Sequence, residues 1–258
     1  MCGRYDNLIA SDAYRGLFKA NRLPKSNFPL RYNIAPTDQI PIVRIDPRDG
    51  EREVVMARWG LIPFWMKEKP KVPHINARAE TVDRLPLFRE AFAKRRCLIP
   101  ANGFYEWKSD GARKRPYALL SRHGGPIAFA GLWETWTGPN GEEVDTAAIV
   151  TTEASRDITH IHHRMPVVIQ PDDFDAWIDC MNVDYREAAH LIAPAPENFF
   201  ECVEISTAVN KVANDTPDLL TPITDAQREA ETPAPKAAAV KKVAKPKVEE
   251  DSGQGSLF

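Results

Sequence analysis

The 258-residue chain carries 34 Lys and Arg against 36 Asp and Glu, a formal net charge of -2, with 43% hydrophobic and 27% charged residues. That is the composition of a soluble globular protein with one large core or two small ones, and it excludes an overall polycation, so a nucleic-acid site has to be a local patch. No apolar run nears the ~18 residues that span a membrane, and the polar start excludes a signal peptide. Cys2, Cys97, Cys180 and Cys202 form no C-x-x-C pair, which predicts a cytoplasmic protein with neither a disulfide framework nor a zinc site.

In chain order, the first feature is Met1-Cys2-Gly3-Arg4-Tyr5. If the initiator methionine is removed, Cys2 presents a free α-amine and a thiol on one residue, titrating near ~8 and ~8.5 before any tuning. Ser11 or Asp12 is set to cap a short helix carrying Tyr14, Leu17 and Phe18, and the proline-rich stretch 23–41 reads as an irregular loop. Ile40–Ile45 and Glu53–Arg58 read as strands either side of the turn Asp46-Pro47-Arg48-Asp49-Gly50. A second loop starts at Trp59-Gly60 and runs to His74. A helix from Leu87 to Lys94 follows, then strands at Cys97–Ile99, Gly103–Lys108, Tyr117–Ser121, Ile127–Trp133, Ala147–Thr152 and Met165–Ile169. A helix over Phe174–Ile178 is capped by Asp172 or Asp173. The pattern predicts an α+β single domain over 1–224, built on a strongly bent antiparallel sheet or open β-barrel with peripheral helices. Residues 225–258, rich in Ala, Pro, Lys and Glu, bury too little apolar surface to offset ordering and read as a disordered tail.

Three segments concentrate polar groups in apolar surroundings. In an extended Asn76-Ala-Arg78-Ala-Glu80, the three polar side chains share one side, either as a site or as a solvated Arg–Glu pair. Gly103-Phe104-Tyr105-Glu106-Trp107 sets one carboxylate among three aromatics, where desolvation would raise its pKa toward acid/base use; the plain alternative is a strand with Glu106 facing outward. His160-Ile-His162-His163-Arg164-Met165-Pro166 offers an acid/base histidine or ordinary loop histidines; metal ligation is disfavoured because neighbours on an extended chain point apart. Trp65, on an irregular loop, is a candidate for stacking on an unpaired base.

Together with Tyr32-Asn33-Ile34-Ala35-Pro36 and Ala208-Val-Asn-Lys-Val-Ala-Asn-Asp215, this ordered set resembles the SRAP family (SOS response-associated peptidase domain), which shields abasic sites in single-stranded DNA. The resemblance spans roughly residues 2–224. It implies covalent capture of an abasic aldehyde by Cys2 as a thiazolidine once Met1 is removed, with no cofactor. It assigns acid/base roles to Glu106 and His162, although His160 or His163 could take the latter place, and a sugar contact to Asn76. Arg4, Arg78 and Arg164 would neutralise phosphates, Thr151 would touch phosphate or sugar, and Trp65, Asn33 and Pro36 would pack against bases. Some relatives carry a tandem aromatic pair where this chain has Trp65-Met66, which puts the stacking in doubt. Alternative readings are an N-terminal-cysteine peptidase or amidase, and a non-catalytic DNA- or clamp-binding adaptor; a minor lyase side reaction through a Cys2 imine is a further expectation. The terminal Gln254-Gly-Ser-Leu257-Phe258 resembles the peptide by which bacterial repair proteins bind the replication sliding clamp, through Gln254, Leu257 and Phe258. The expected protein is a monomer, nucleoid-associated if bacterial, with no membrane partner.

Overall fold

Strand propensity and pairing organise the chain into two sheets. The computed structural model describes residues 2–111 and 113–231. Its strands are β1 (Tyr5–Asn7), β2 (Arg31–Ile34), β3 (Gln39–Ile45), β4 (Arg52–Trp59), β5 (Asn76–Arg78), β6 (Arg96–Ala101), β7 (Gly103–Asp110), β8 (Arg113–Ser121), β9 (Ile127–Thr137), β10 (Glu143–Glu153), β11 (Arg164–Pro166), β12 (Val168–Ile169) and β13 (Phe200–Glu204). Helices α1 (Tyr14–Leu17), α2 (Arg89–Lys94), α3 (Phe174–Ile178), α4 (Tyr185–Ala189) and α5 (Asp225–Ala230) are short and peripheral.

One sheet runs β13-β8-β7-β1-β2; the other runs β11-β10-β4-β3-β6-β9-β12, with β5 alongside β10. Because β10 also pairs with β9 over Glu143–Ile149, strands β10, β4, β3, β6 and β9 close on themselves as a barrel. The α+β expectation therefore holds, with the bend of the sheet carried to closure. Full closure removes unpaired edges, which a long hydrophobic sheet would otherwise expose.

The period of two along these strands sorts side chains into two cores. Val43, Leu98, Ala130, Leu132, Ala148 and Val150 pack with the helices through Phe18, Phe92 and Trp177. Their neighbours Ile42, Ile99, Phe129, Ala147 and Ile149 pack with Tyr5, Phe104 and Phe200 of the five-stranded sheet. Cys2 belongs to this second core, so the start of the chain is held between the two sheets.

Several local expectations need correcting. The stretch 23–41 holds strand β2, paired with β1, and β1 itself is a strand that the sequence reading lacks. Ser11 and Asp12 cap nothing: the Ser11 hydroxyl bonds Phe28. Asp173 is the N-cap residue of α3 but makes no side-chain capping bond; Pro171 leads into that helix. The boundary expected at residue 224 also moves. Thr224 and Gln227 form a capping box that starts α5, and Glu231 returns to bond Ser206 and Thr207. Ordered structure thus reaches at least residue 231, and the rest of the expected tail lies outside the described residues, including Gln254, Leu257 and Phe258.

Candidate active site at the amino terminus

Strand β1 fixes where Cys2 sits. It runs between β2 and β7, with Tyr5 opposite both Ile34 and Phe104, and the Arg4 carbonyl accepts from Tyr105 N–H at 3.0 Å. That register carries the residues before Tyr5 along the edge of β7 toward Glu106. The glycine opening the Gly103–Trp107 motif has a packing reason. A Cβ on Gly103 would lie 2.6 Å from the Leu119 carbonyl oxygen, so only glycine lets β7 and β8 approach this closely.

Cys2 has no exposed surface in the chain carrying Met1. Its carbonyl accepts a 2.8 Å bond from Asn76 Nδ2, and its Sγ lies 3.8 Å from the Arg4 carbonyl. Burial, reinforced by the nearby Glu106 carboxylate, pushes the thiol well above the ordinary thiol range, so it is held as S–H.

Glu106 is 3% exposed, and burial raises its pKa. His162 Nδ1 stands 3.9 Å from Glu106 Oε1. Burial, first among its causes, drives the imidazole down to about 4, so His162 is neutral at pH 7 and the two groups are not an ion pair. Arg164 N–H donates to Nδ1 at 3.0 Å. A backbone N–H cannot be turned round, so Nδ1 is the acceptor and Nε2 carries the proton. The neighbouring histidines are both exposed; His163 stacks on His162 with centroids 4.5 Å apart. Only His162 of the three reaches Glu106 through a contact seen among the described residues.

The structure brings Cys2, Asn76, Glu106 and His162 together. Arg4 and Asn33 lie beneath them and hold each other. Arg4 donates to Asn33 Oδ1 at 2.7 Å and to the Val209 carbonyl at 2.9 Å. Asn33 Nδ2 donates to the Val209, Lys211 and Asn214 carbonyls, and Asp215 accepts from Asn33 N–H, Tyr32 N–H and the Arg31 guanidinium. Asn33 is fully buried, so packing against a base is closed to it; its task is to bind the 209–215 segment.

A similar correction applies on the barrel side. Thr151 is fully buried and Arg164 is 7% exposed. The Arg164 guanidinium is engaged by Glu80 and by the Thr151 carbonyl and hydroxyl. Thr151 therefore has no surface for a phosphate, and both terminal nitrogens of Arg164 are in use. Arg78, two residues past Asn76 on β5 and opposite Thr151, is exposed. Glu80 leaves the strand in a 3-10 turn, Ala79–Thr81, so the three polar side chains do not line up along one strand face.

Pro36 is half-buried and Trp65 is 52% exposed beside Phe64 at 56%. The exposed aromatic pair is thus Phe64-Trp65. Their loop is pinned where Trp136 Nε1 donates to the Met66 carbonyl at 2.6 Å. No hydrogen bond or ring contact among the described residues links Trp65 or Pro36 to the Cys2 cluster.

A cavity of about 490 Å³ opens over Glu106 and His162, walled by Trp107, Lys114 and Asn210. The Trp107 indole N–H donates to Asn210 Oδ1 at 2.8 Å, and Asn210 in turn takes Arg4 on its carbonyl. Lys114 is the wall residue that sequence reading missed. Its signal was the hairpin turn after Asp110, which returns a basic run beside Glu106.

The family described as SOS response associated peptidase (SRAP) matches residues 1–212. The chain belongs to this family. Among curated relatives, the abasic site processing protein YoqW of Bacillus subtilis is 35% identical over 223 residues, covering 85% of this chain and 99% of that one. The abasic site processing protein HMCES of Gallus gallus is 34% identical over 223 residues, covering 74% and 66%. Among solved structures, a Bacteroides thetaiotaomicron protein superimposes with a TM-score of 0.75 at 24% identity, covering 86% of this chain and all of that one, a likeness of fold. A Bordetella bronchiseptica protein gives 0.68 at 26% identity, covering 80% of this chain and all of that one. The SRAP match thus contains every side chain of the Cys2 cluster.

Proposed function

We propose that this chain, once Met1 is removed, captures the aldehyde of an abasic site in single-stranded DNA as a thiazolidine on Cys2. Relatives named abasic site processing proteins support the substrate. The observation that carries the chemistry is the hold of Asn76 on the Cys2 carbonyl beside the Glu106–His162 pair. It positions the first residue of the processed chain against a carboxyl whose pKa burial raises and an imidazole that burial keeps uncharged.

The sequence of steps follows from those protonation states. The Cys2 thiol is held as S–H, so the α-amine attacks the ring-opened sugar aldehyde first. The amine proton passes to the developing alkoxide, and neutral His162, its Nδ1 held by the Arg164 N–H, is suited to donate a hydrogen bond from Nε2 to that oxygen. Glu106, raised toward its protonated form, gives a proton to the departing hydroxyl, and one water leaves as the imine forms. The thiol then adds to the imine carbon: the C–S bond forms and the sulfur proton passes to nitrogen, with the Glu106 carboxylate as carrier. The product has lost one water in total, and no oxidant or cofactor enters the balance. Holding amine, thiol and carbon in one ring converts the second step to an intramolecular one, with a large entropic advantage.

The test is a denaturing gel of the full-length, Met1-free protein with an oligonucleotide carrying one abasic site. Cys2→Ala abolishes the cross-link, whereas Cys97→Ala, Cys180→Ala and Cys202→Ala retain it. A cross-link that survives Cys2→Ala overturns the reading.

A further inference from the structure

Among the arginines expected to meet phosphate, Arg164 is engaged by Glu80 and Thr151, and Arg4 by Asn33, Val209 and Asn210. Arg164 is thus neutralised by a carboxylate, whereas the partners of Arg4 are neutral and only tie its donors down. A strand of DNA crossing Glu106 and His162 still needs cations on both sides. The barrel supplies one, the exposed Arg78 on β5. The five-stranded sheet forms the second wall of the cavity through Glu106 and Trp107.

Lys114 is the cation on that second wall. It lies on β8 opposite Ser109 of β7, is exposed, and lines the same cavity as Glu106, Trp107, His162 and Asn210. Its neighbour Arg115 pairs with Asp110 at 3.0 Å and Glu204 at 3.6 Å. The Lys114 charge acts on the Glu106 carboxyl across the cavity. Strand β1 pairs with β7 through Gly103 and Phe104, the Arg4 carbonyl extends that contact to Tyr105, and the cavity opens beyond it at Glu106 and Trp107. At about 490 Å³, the cavity exceeds what one sugar requires.

We infer that Lys114 holds a backbone phosphate next to the captured sugar, in the cavity that Glu106 and His162 share, so that the DNA strand leaves the site along the β7–β8 hairpin. This inference rests on the capture reading for its substrate, but the contact itself does not depend on the covalent step. Lys114 is a positioning residue. A lysine here acts as a point charge on a flexible stem, which suits a phosphate whose neighbouring nucleotide has lost its base.

The experiment uses the full-length, Met1-free protein and its Lys114→Ala, Lys114→Glu and Lys114→Arg variants. Fluorescence anisotropy with an intact single-stranded oligonucleotide, titrated over salt, reads the phosphate contact without chemistry. A lost phosphate contact lowers the slope of log affinity against log salt by about 0.7. The expectation is that reduction in Lys114→Ala, a larger loss of affinity in Lys114→Glu, and the wild-type slope in Lys114→Arg. In parallel, cross-linking to an abasic oligonucleotide at limiting DNA slows roughly 3- to 10-fold in Lys114→Ala at low salt, and the gap closes at high salt. An unchanged salt slope in both Lys114→Ala and Lys114→Glu overturns the inference while leaving wild-type cross-linking intact. Absence of a cross-link in the wild type overturns the capture reading instead, and the anisotropy slopes still decide the role of Lys114.

Discussion

Arg96 and Glu106 are both charged residues with almost no exposed surface, 1% and 3%, yet they are buried in opposite ways. Arg96 opens β6 on the helical side of the barrel. Its guanidinium donates to the carbonyls of Trp177 at 2.6 Å, Val183 at 2.8 Å, Phe92 at 3.0 Å and Asp179 at 3.3 Å. It ties α2, α3 and the following turn to the barrel and stays in one protonation state. Glu106 lies between aromatic neighbours at the mouth of a cavity, and burial shifts it toward the form it does not ordinarily hold at neutral pH. The difference teaches how to separate structural burial from chemical burial. Where backbone carbonyls meet a charge on every side, the group is part of the scaffold; where desolvation acts beside an opening, the group is able to exchange a proton.

That contrast predicts separable effects. Arg96→Ala removes the donor these interior carbonyls share and should lower stability by about 3 kcal/mol or more, read as a shifted urea midpoint. The cross-linking rate of its folded fraction should match wild type; a rate defect would dissolve the distinction. Glu106→Gln should do the reverse, slowing capture by about 100-fold with an unchanged urea midpoint.

Asp6 sharpens the comparison from a third side. It is fully buried, and burial pushes its carboxyl from 3.8 up to about 7, opposed by the backbone N–H groups of Gly103, Asn102 and Asp6 itself. A raised acid favours the folded state while it is protonated. The stability it contributes is therefore complete below about pH 4 and is lost as pH rises through about 7. Asp6→Asn should remove this part of the slope, leaving the variant on the order of 4 kcal/mol more stable than wild type at pH 8 and close to it at pH 4. Urea midpoints across pH 4–8 check this; parallel curves contradict it. The smallest effect belongs to Asn76→Ala, which frees the Cys2 carbonyl while Glu106 and His162 stay in place. Capture should slow about tenfold, with the pH profile unmoved.

Legibility in the sequence followed the range of the interactions. The hairpins of β3–β4 and β7–β8 were readable because alternation and turn residues are local. Glu106 was readable because three aromatics flank it in five residues. Strands β1 and β2 were not, being three and four residues long, one of them among prolines. Barrel closure depends on β10 meeting β4 and β9 at once, which no local pattern records. The roles of Asn33 and Thr151 failed for a related reason: Asn33 is held by Asp215, 182 residues away, and its motif gives no sign of burial. The segment after 224 misled through composition, since a capping box and one returning carboxylate are enough to order seven residues of a polar stretch.

The most direct test of the central claim is the intact mass of the Met1-free protein after incubation with a single-stranded oligonucleotide carrying one abasic site. The account predicts a species equal to protein plus oligonucleotide less one water, present in wild type and missing in Cys2→Ala. No such species from wild-type protein, or the same species from Cys2→Ala, would contradict it.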